Sequence, residues 1–269
     1  MEKETFETFK PKNELVKKYV NYYYLDIKPD NLTTTFQCFP HFNTTISLYS
    51  SHERLADGEM VFIEKSKPFQ IFTPVREKVL RVKQSGKVYR IVIVFNPLGI
   101  QQFYRDLNFN EFIFNHDFFT SSELNEIFST THASILSTKL DDFLLKRLVS
   151  FEHPFLEKSL QYIFNSYENF SVIKMSNEIG VSRQHLNRVF KSNIGISLKK
   201  FHEIVLFRKT INNKLFENTN ETFTELAHRF NFSDQPHFNK TYKNLTEHSP
   251  KKFFDKGTKL GKEDTFWHL

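Results

Sequence analysis

Cysteine is almost missing from this sequence: Cys38 is the single thiol in 269 residues. One cysteine excludes an internal disulfide and any multi-cysteine zinc site, and it fits a reducing compartment. Glycine is scarce too, at 7 residues. No GxGxxG, Walker loop, HExxH or GxSxG occurs, so the common nucleotide, metalloprotease and hydrolase signatures are excluded. Long apolar runs are absent; the longest, around "RIVIVF", is far too short to span a bilayer. The opening "MEKETFETFKPKN" is charged and polar, unlike a secretory signal. A soluble cytoplasmic protein with no membrane partner is expected.

Phenylalanine, by contrast, is abundant at 32 residues, and aromatic residues make up 16% of the chain. That apolar material supports packed cores and excludes general disorder. The length fits one large domain or, more comfortably, two. The net charge is +6, and its placement is uneven. Residues 1–153 hold 19 basic and 19 acidic side chains, leaving 18 basic and 12 acidic for the remainder. Basic excess confined to one part points to a polyanion partner there.

The periodicity divides the chain in the same place. "TTFQCF", "TTISLYS", "EMVFIE", "FQIFT", "VLRVK" and "VYRIVIVF" read as short strands, separated by turn stretches such as "ADGE" and "KQSGK". Such spacing suggests a sandwich or small barrel. Helices are predicted in "NELVKKYVNYYYL", "GIQQFYRDL" and "SILSTKLDDFLLKRLVS". In the last, Leu136, Leu140, Phe143, Leu144 and Leu148 form one stripe, more often core than subunit contact. From Pro154 the period becomes 3.6 and no comparable strand pattern returns. The expected class is α+β. Residues 1–150 form a β-rich domain with flanking helices, 154–255 an all-α domain, and 256–269 a polar tail in which Trp267 could dock.

Within the helical part lies a repeat. "MSNEIGVSRQHLNRVFKSNIGISLKKF" aligns with "LAHRFNFSDQPHFNKTYKNLTEHSPKKF". The offset is 51 up to Ser182 and Ser233, and 52 from Leu186 and Phe238 onward. Each copy reads helix, tight turn, helix. Gly180 suits a left-handed stop, and Ser182 suits an N-cap. This is the helix-turn-helix pattern, whose second helix enters the DNA major groove. At about 100° per residue, burying Leu186, Val189 and Phe190 turns Gln184, Arg188 and Lys191 outward, with Asn187 at the side. Arg can bridge guanine O6 and N7, Gln and Asn can bridge adenine N6 and N7, and Lys suits phosphate. In the second copy Pro236, Asn239, Lys240 and Lys243 face outward, with Gln235 and His237 near the helix start. That set favours phosphate anchoring. The intervening helix, from Ser197 to Leu215, would span roughly 28 Å, against about 34 Å between successive major-groove faces.

These residues resemble the DNA-binding domain of the AraC/XylS family of bacterial transcription regulators. The first module shows Gly180, Ser182, Leu186, Phe190, Lys191, Gly195 and Ser197; the linker arginine is Arg208. The second shows Phe232, Ser233, Asp234, Gln235, Phe238, Tyr242, Lys243, Ser249 and Pro250. Asn231 and Glu247 stand where glycine is common. The resemblance implies base-contact positions at Gln184, Asn187 and Arg188, and at Gln235, His237, Asn239 and Lys240. "YRIVIVFNPLGIQQFY", with Phe95, Pro97 and Gly99, resembles cupin-like sensor domains of some members. An enzymatic cupin would hold a metal through clustered histidines. Here His41, His52, His116, His132 and His153 include no HxH pair, and His52 and Glu53 point to opposite strand faces, as a surface pair would. The chain is therefore expected to be a DNA-binding regulator, not an enzyme, with no catalytic residue, metal or cofactor. Double-stranded DNA is the expected partner; RNA polymerase, a small-molecule effector and a second copy of the chain are further candidates.

Overall fold

The computed structural model describes residues 4–30, 32–105, 107–114 and 116–269. Its first half is built on two six-stranded sheets. Chain order begins β1 (Thr5–Phe9), α1 (Glu14–Tyr19), β2 (Val20–Lys28), β3 (Thr33–Cys38) and β4 (Thr44–Tyr49). It continues β5 (His52–Arg54), β6 (Met60–Phe62), β7 (Phe69–Thr73), β8 (Leu80–Ser85), β9 (Val88–Phe95) and β10 (Ile113–Phe114). One sheet runs β1-β2-β9-β4-β7-β10. The other contains β3-β8-β6-β5 and is completed by two strands from the far end of the sequence, β11 (Thr258–Lys259) and β12 (Phe266–His268).

β2 and β9 are nearly continuous in apolar residues because both of their faces are buried. Tyr23 and Leu25, paired with Ile93 and Ile91, face helices α1, α2 (Ser121–Ile127) and α3 (Ala133–Leu145). Tyr22 and Tyr24, paired with Val94 and Val92, face the second sheet and join Phe36 and Trp267. The stripe of α3 is core: Leu136, Leu140, Phe143 and Leu144 are buried under the first sheet.

Two helix expectations change. "NELVKKYVNYYYL" is helical only to Tyr19; from Val20 it is β2, because the β-branched and aromatic run pairs between β1 and β9 with both faces covered. Among the described residues of "GIQQFYRDL", only Ile100–Gln102 are helical, as a single 3-10 turn. Gly99 before it allows close backbone approach, since a Cβ there would lie 2.1 Å from the Tyr19 carbonyl oxygen. His52 and Glu53 do face opposite ways. The pair is not a surface one, however: His52 is buried against Tyr49 and Phe62.

The second half is helical: α4 (Leu156–Asn165), α5 (Val172–Ile179), α6 (Arg183–Ile194), α7 (Leu198–Asn212), α8 (Phe223–Arg229), α9 (Gln235–Thr246) and α10 (Pro250–Lys256). One core cluster unites them, including Leu186, Phe190, Phe201, Phe207, Phe238, Tyr242 and Phe253. The segment read as a polar tail returns to the β-rich half, and Thr265, Phe266, Trp267 and His268 are buried. Its polar composition belongs to the exposed bend between β11 and β12. Among the described residues no helix is long and apolar enough to cross a membrane.

Candidate nucleic-acid interface

The repeat is realised residue by residue. Ser182 and Asp234 cap α6 and α9 by accepting from the amides three residues on. Ser197 and Ser249 do the same for α7 and α10. Both cap pairs keep the offset of 52, so the extra residue of the second copy sits in its turn. The turn residues Gly180 and Asn231 are both left-handed, at φ 80° and 55°. Gly195 and Glu247 close α6 and α9 at φ 96° and 66°. Asparagine tolerates that region; glutamate does so at a cost. The ring contacts repeat as well. Phe190 meets Phe201 edge-on at 5.3 Å, and Tyr242 meets Phe253 edge-on at 5.5 Å.

This core fixes which residues point out. Leu186 and Phe190 are fully buried, while Gln184, Arg188 and Lys191 are exposed on one side of α6. The Arg188 guanidinium is 3.0 Å from His185 Nδ1, one turn away. Asn187 is half-buried, and its Oδ1 accepts from the Leu198 amide at 3.1 Å, bracing the start of α7. In α9, Gln235, His237, Asn239, Lys240 and Lys243 are all exposed. His237 Nδ1 lies 3.1 Å from Ser233 Oγ near the helix start. Among the described residues, Arg188, Lys191, Lys240 and Lys243 form no ion pair with a carboxylate.

α7 links the two units. Thr210 Oγ1 lies 2.7 Å from the Tyr242 hydroxyl, a buried hydrogen bond between linker helix and second unit. The linker arginine is turned toward the β-rich half. Arg208 is 6% exposed; its Nε donates to Pro40 O at 2.7 Å and its Nη2 to Phe39 O at 2.9 Å. Its Nη1 donates to Asp264 Oδ1 at 3.1 Å. The other Asp264 oxygen accepts from His41 Nε2 at 2.8 Å. His41 Nδ1 accepts the Asn43 amide, so the ring is neutral with its proton on Nε2. Burial lowers its basicity and Arg208 lowers it further, outweighing Asp264. Burial alone would raise the Asp264 carboxyl; Arg208 and His41 instead hold it well below the usual carboxylate range.

Beside this network lies a cavity of about 490 Å³. Tyr22, Tyr24, Met60 and Trp267 supply apolar wall, and Asn43 and Arg76 supply polar groups. Asn43 is 5% exposed, and its side-chain amide has no hydrogen-bond partner among the described residues. Arg76 donates to Phe39 O at 3.3 Å, but no described carboxylate pairs with it. Sequence reasoning found none of these groups in this role. Arg208 carried a signal as the family's linker arginine, and Trp267 as a residue that could dock.

Comparison with known proteins agrees with this geometry. Residues 175–256 match a family model described as a helix-turn-helix domain. The multiple antibiotic resistance protein MarA of Escherichia coli is 34% identical over 112 residues, 40% of this chain and 84% of MarA. The Msm operon regulatory protein of Streptococcus mutans is 25% identical over 123 residues. The chain spans 44% of that relative's length, and 11% of the length of a matching HTH-type regulator of Staphylococcus aureus. The structure of ToxT from Vibrio cholerae superposes with a TM-score of 0.50 at 11% identity, covering 87% of this chain and 98% of ToxT. That likeness establishes the shared two-domain fold. The class of the helical half is thus a double helix-turn-helix domain. The chain belongs to the AraC family.

Proposed function

We propose that this chain regulates transcription by binding a defined DNA sequence, its two units entering successive major grooves on one face of the duplex. α6 is the reading helix: Arg188 and Gln184 contact base edges, with Asn187 beside them and Lys191 on phosphate. α9 anchors through Lys240 and Lys243, and Gln235, His237 and Asn239 reach the groove near its start. The observation that carries this reading is the exposed cationic and amide face of two capped, equivalent helices, whose Arg188, Lys191, Lys240 and Lys243 pair with no carboxylate among the described residues. A footprint of the purified chain on genomic DNA tests it. A short protected sequence that survives unrelated competitor DNA is expected; protection that the competitor abolishes everywhere would overturn it.

The β-rich half modulates that binding, through a small effector, a partner such as RNA polymerase, or a second copy. A cavity of about 490 Å³ supports the first of these, being of the size that small-molecule sites take. Work in the cytoplasm follows from DNA as the partner. A version lacking residues 1–150 that regulates its promoter identically under all growth conditions would remove the modulatory role.

A further inference from the structure

The segment after α10 touches both halves of the molecule through alternate side chains. Antiparallel pairing of β12 with β3 places Trp267 opposite Cys38 and His268 opposite Gln37. Successive strand residues face opposite ways. Trp267 turns into the β-rich half, stacked on Phe36 with ring centres 4.8 Å apart and edge-on to Tyr24 at 6.0 Å. Phe266 and His268 turn toward the helices. Phe266 lies 5.0 Å from Phe253, and His268 Nε2 is 2.9 Å from the Phe253 carbonyl oxygen. Ahead of the strand, Glu263 pairs with Lys10 at 2.7 Å and the Lys262 amide donates to Thr8 Oγ1 at 2.8 Å. Asp264 binds Arg208 on α7. Gly257 makes the return path possible, because a Cβ there would lie 1.6 Å from the Phe266 ring.

We propose that residues 258–268 form a strap that couples the β-rich half to the second helix-turn-helix unit. The strap is also a wall of the cavity: Asp264, Thr265 and Trp267 line it. Displacing Trp267 or Asp264 from the cavity side therefore moves Phe266 and His268, which rest on α10 directly behind α9. The first unit has its own hold, from Gln101 Nε2 to the Asn193 carbonyl oxygen at 2.9 Å. A change at the strap thus shifts one reading unit against the other. It acts by position, since Gln235, His237, Asn239, Lys240 and Lys243 are exposed with the strap in place. This deepens the reading of the β-rich half as a modulator and rests on it.

Hydrogen exchange on the full chain tests the strap, first without DNA. Trp267→Ala removes the contacts to Phe36 and Tyr24, and aromatic pairs of this kind sustain about tenfold or more in local opening. Protection should fall about tenfold at residues 36–38 and, with it, across α10, whose residues Trp267 does not stack on. Trp267→Phe should restore both regions. Should Trp267→Ala fail to fold, Trp267→Leu carries the same comparison. Loss confined to residues 36–38, with α10 unchanged, would overturn the strap and leave only a sheet strand. In a second arm, a duplex selected from a random-sequence pool by the full chain is added. By reciprocity its binding should change exchange at residues 36–38, and Trp267→Ala should abolish that change. A bound duplex with no effect at residues 36–38 overturns the coupling. Failure to select any duplex overturns the DNA reading instead, and the first arm then decides the strap.

Discussion

Replacing Arg208 should cost more stability than any change on the DNA face. Its guanidinium is 6% exposed and donates to two main-chain carbonyls and one carboxylate. Arg208→Ala leaves Phe39 O and Pro40 O without these donors and Asp264 without its cation. Removing the buried donor costs about 1–3 kcal/mol for each of the two main-chain carbonyls, and the lost pair with Asp264, whose side chain is 39% exposed, adds less. That is a large part of the roughly 5–15 kcal/mol available to a folded domain, so Arg208→Lys is the useful companion. Lysine keeps the charge but not the planar fork, and should lose about 1–3 kcal/mol. Chemical denaturation followed by Trp267 fluorescence reads both variants, the tryptophan being 8% exposed at the same junction. The acid limb gives an independent sign. The Asp264 carboxyl is held below its ordinary value in the folded chain. Its contribution is therefore present above the unfolded carboxyl value and fades as pH falls through and below it. Arg208→Ala should flatten that limb. A loss under about 0.5 kcal/mol for Arg208→Ala would refute the reasoning, because such values belong to exposed pairs.

Four further outcomes follow from single features. Glu247 is left-handed at φ 66° and among the described residues pairs only with the exposed Arg81, so Glu247→Gly should raise the unfolding midpoint, relief of about 1–2 kcal/mol exceeding the lost surface pair. Gly180→Ala, at φ 80° with open space around it, should lower the midpoint through backbone strain alone. His52 is pushed down to about 4 by burial, so stability held above its ordinary value near 6.5 should decline as pH falls from there toward 4. An equilibrium pH series comparing the native chain with His52→Phe checks it: the variant should lack that part of the decline. Lys243→Ala should weaken binding across sequences and reduce the log–log salt slope by about 0.9, read by titrating cognate and scrambled duplexes over a salt series.

The helix-turn-helix half was legible in the sequence because its logic is local. The cap at Ser182, the stop at Gly180 and the buried positions Leu186 and Phe190 depend on neighbours within a few residues. A repeat then checks one copy against the other. Asn231 and Glu247 fit the same pattern once left-handed backbone is allowed for. What escaped reading depends on distant partners. Val20 to Leu25 suits a helix face as well as a doubly buried strand, and only pairing with β9 decides it. Residues 258–268 are polar on average, and the burial of Trp267 and His268 rests on Phe36 and Phe39, more than 200 positions earlier. Arg208 stood out by its place in the linker, yet two of its partners are main-chain carbonyls, which no side-chain pattern marks.

Arg188→Ala on α6 tests the central claim most directly. Arg188 is exposed on the face opposite Leu186 and Phe190 and has no carboxylate partner among the described residues. A bidentate contact to one base pair contributes about 1–3 kcal/mol of discrimination. Affinities of the native and variant chains should be measured at one salt concentration on the footprinted duplex, on single-base-pair variants of it, and on a scrambled duplex. The account predicts that Arg188→Ala weakens binding to the footprinted duplex by about 10–100-fold, leaves the scrambled duplex nearly unchanged, and erases preference at one base pair. An equal loss on both duplexes, with every base preference intact, would contradict it and make Arg188 a backbone contact.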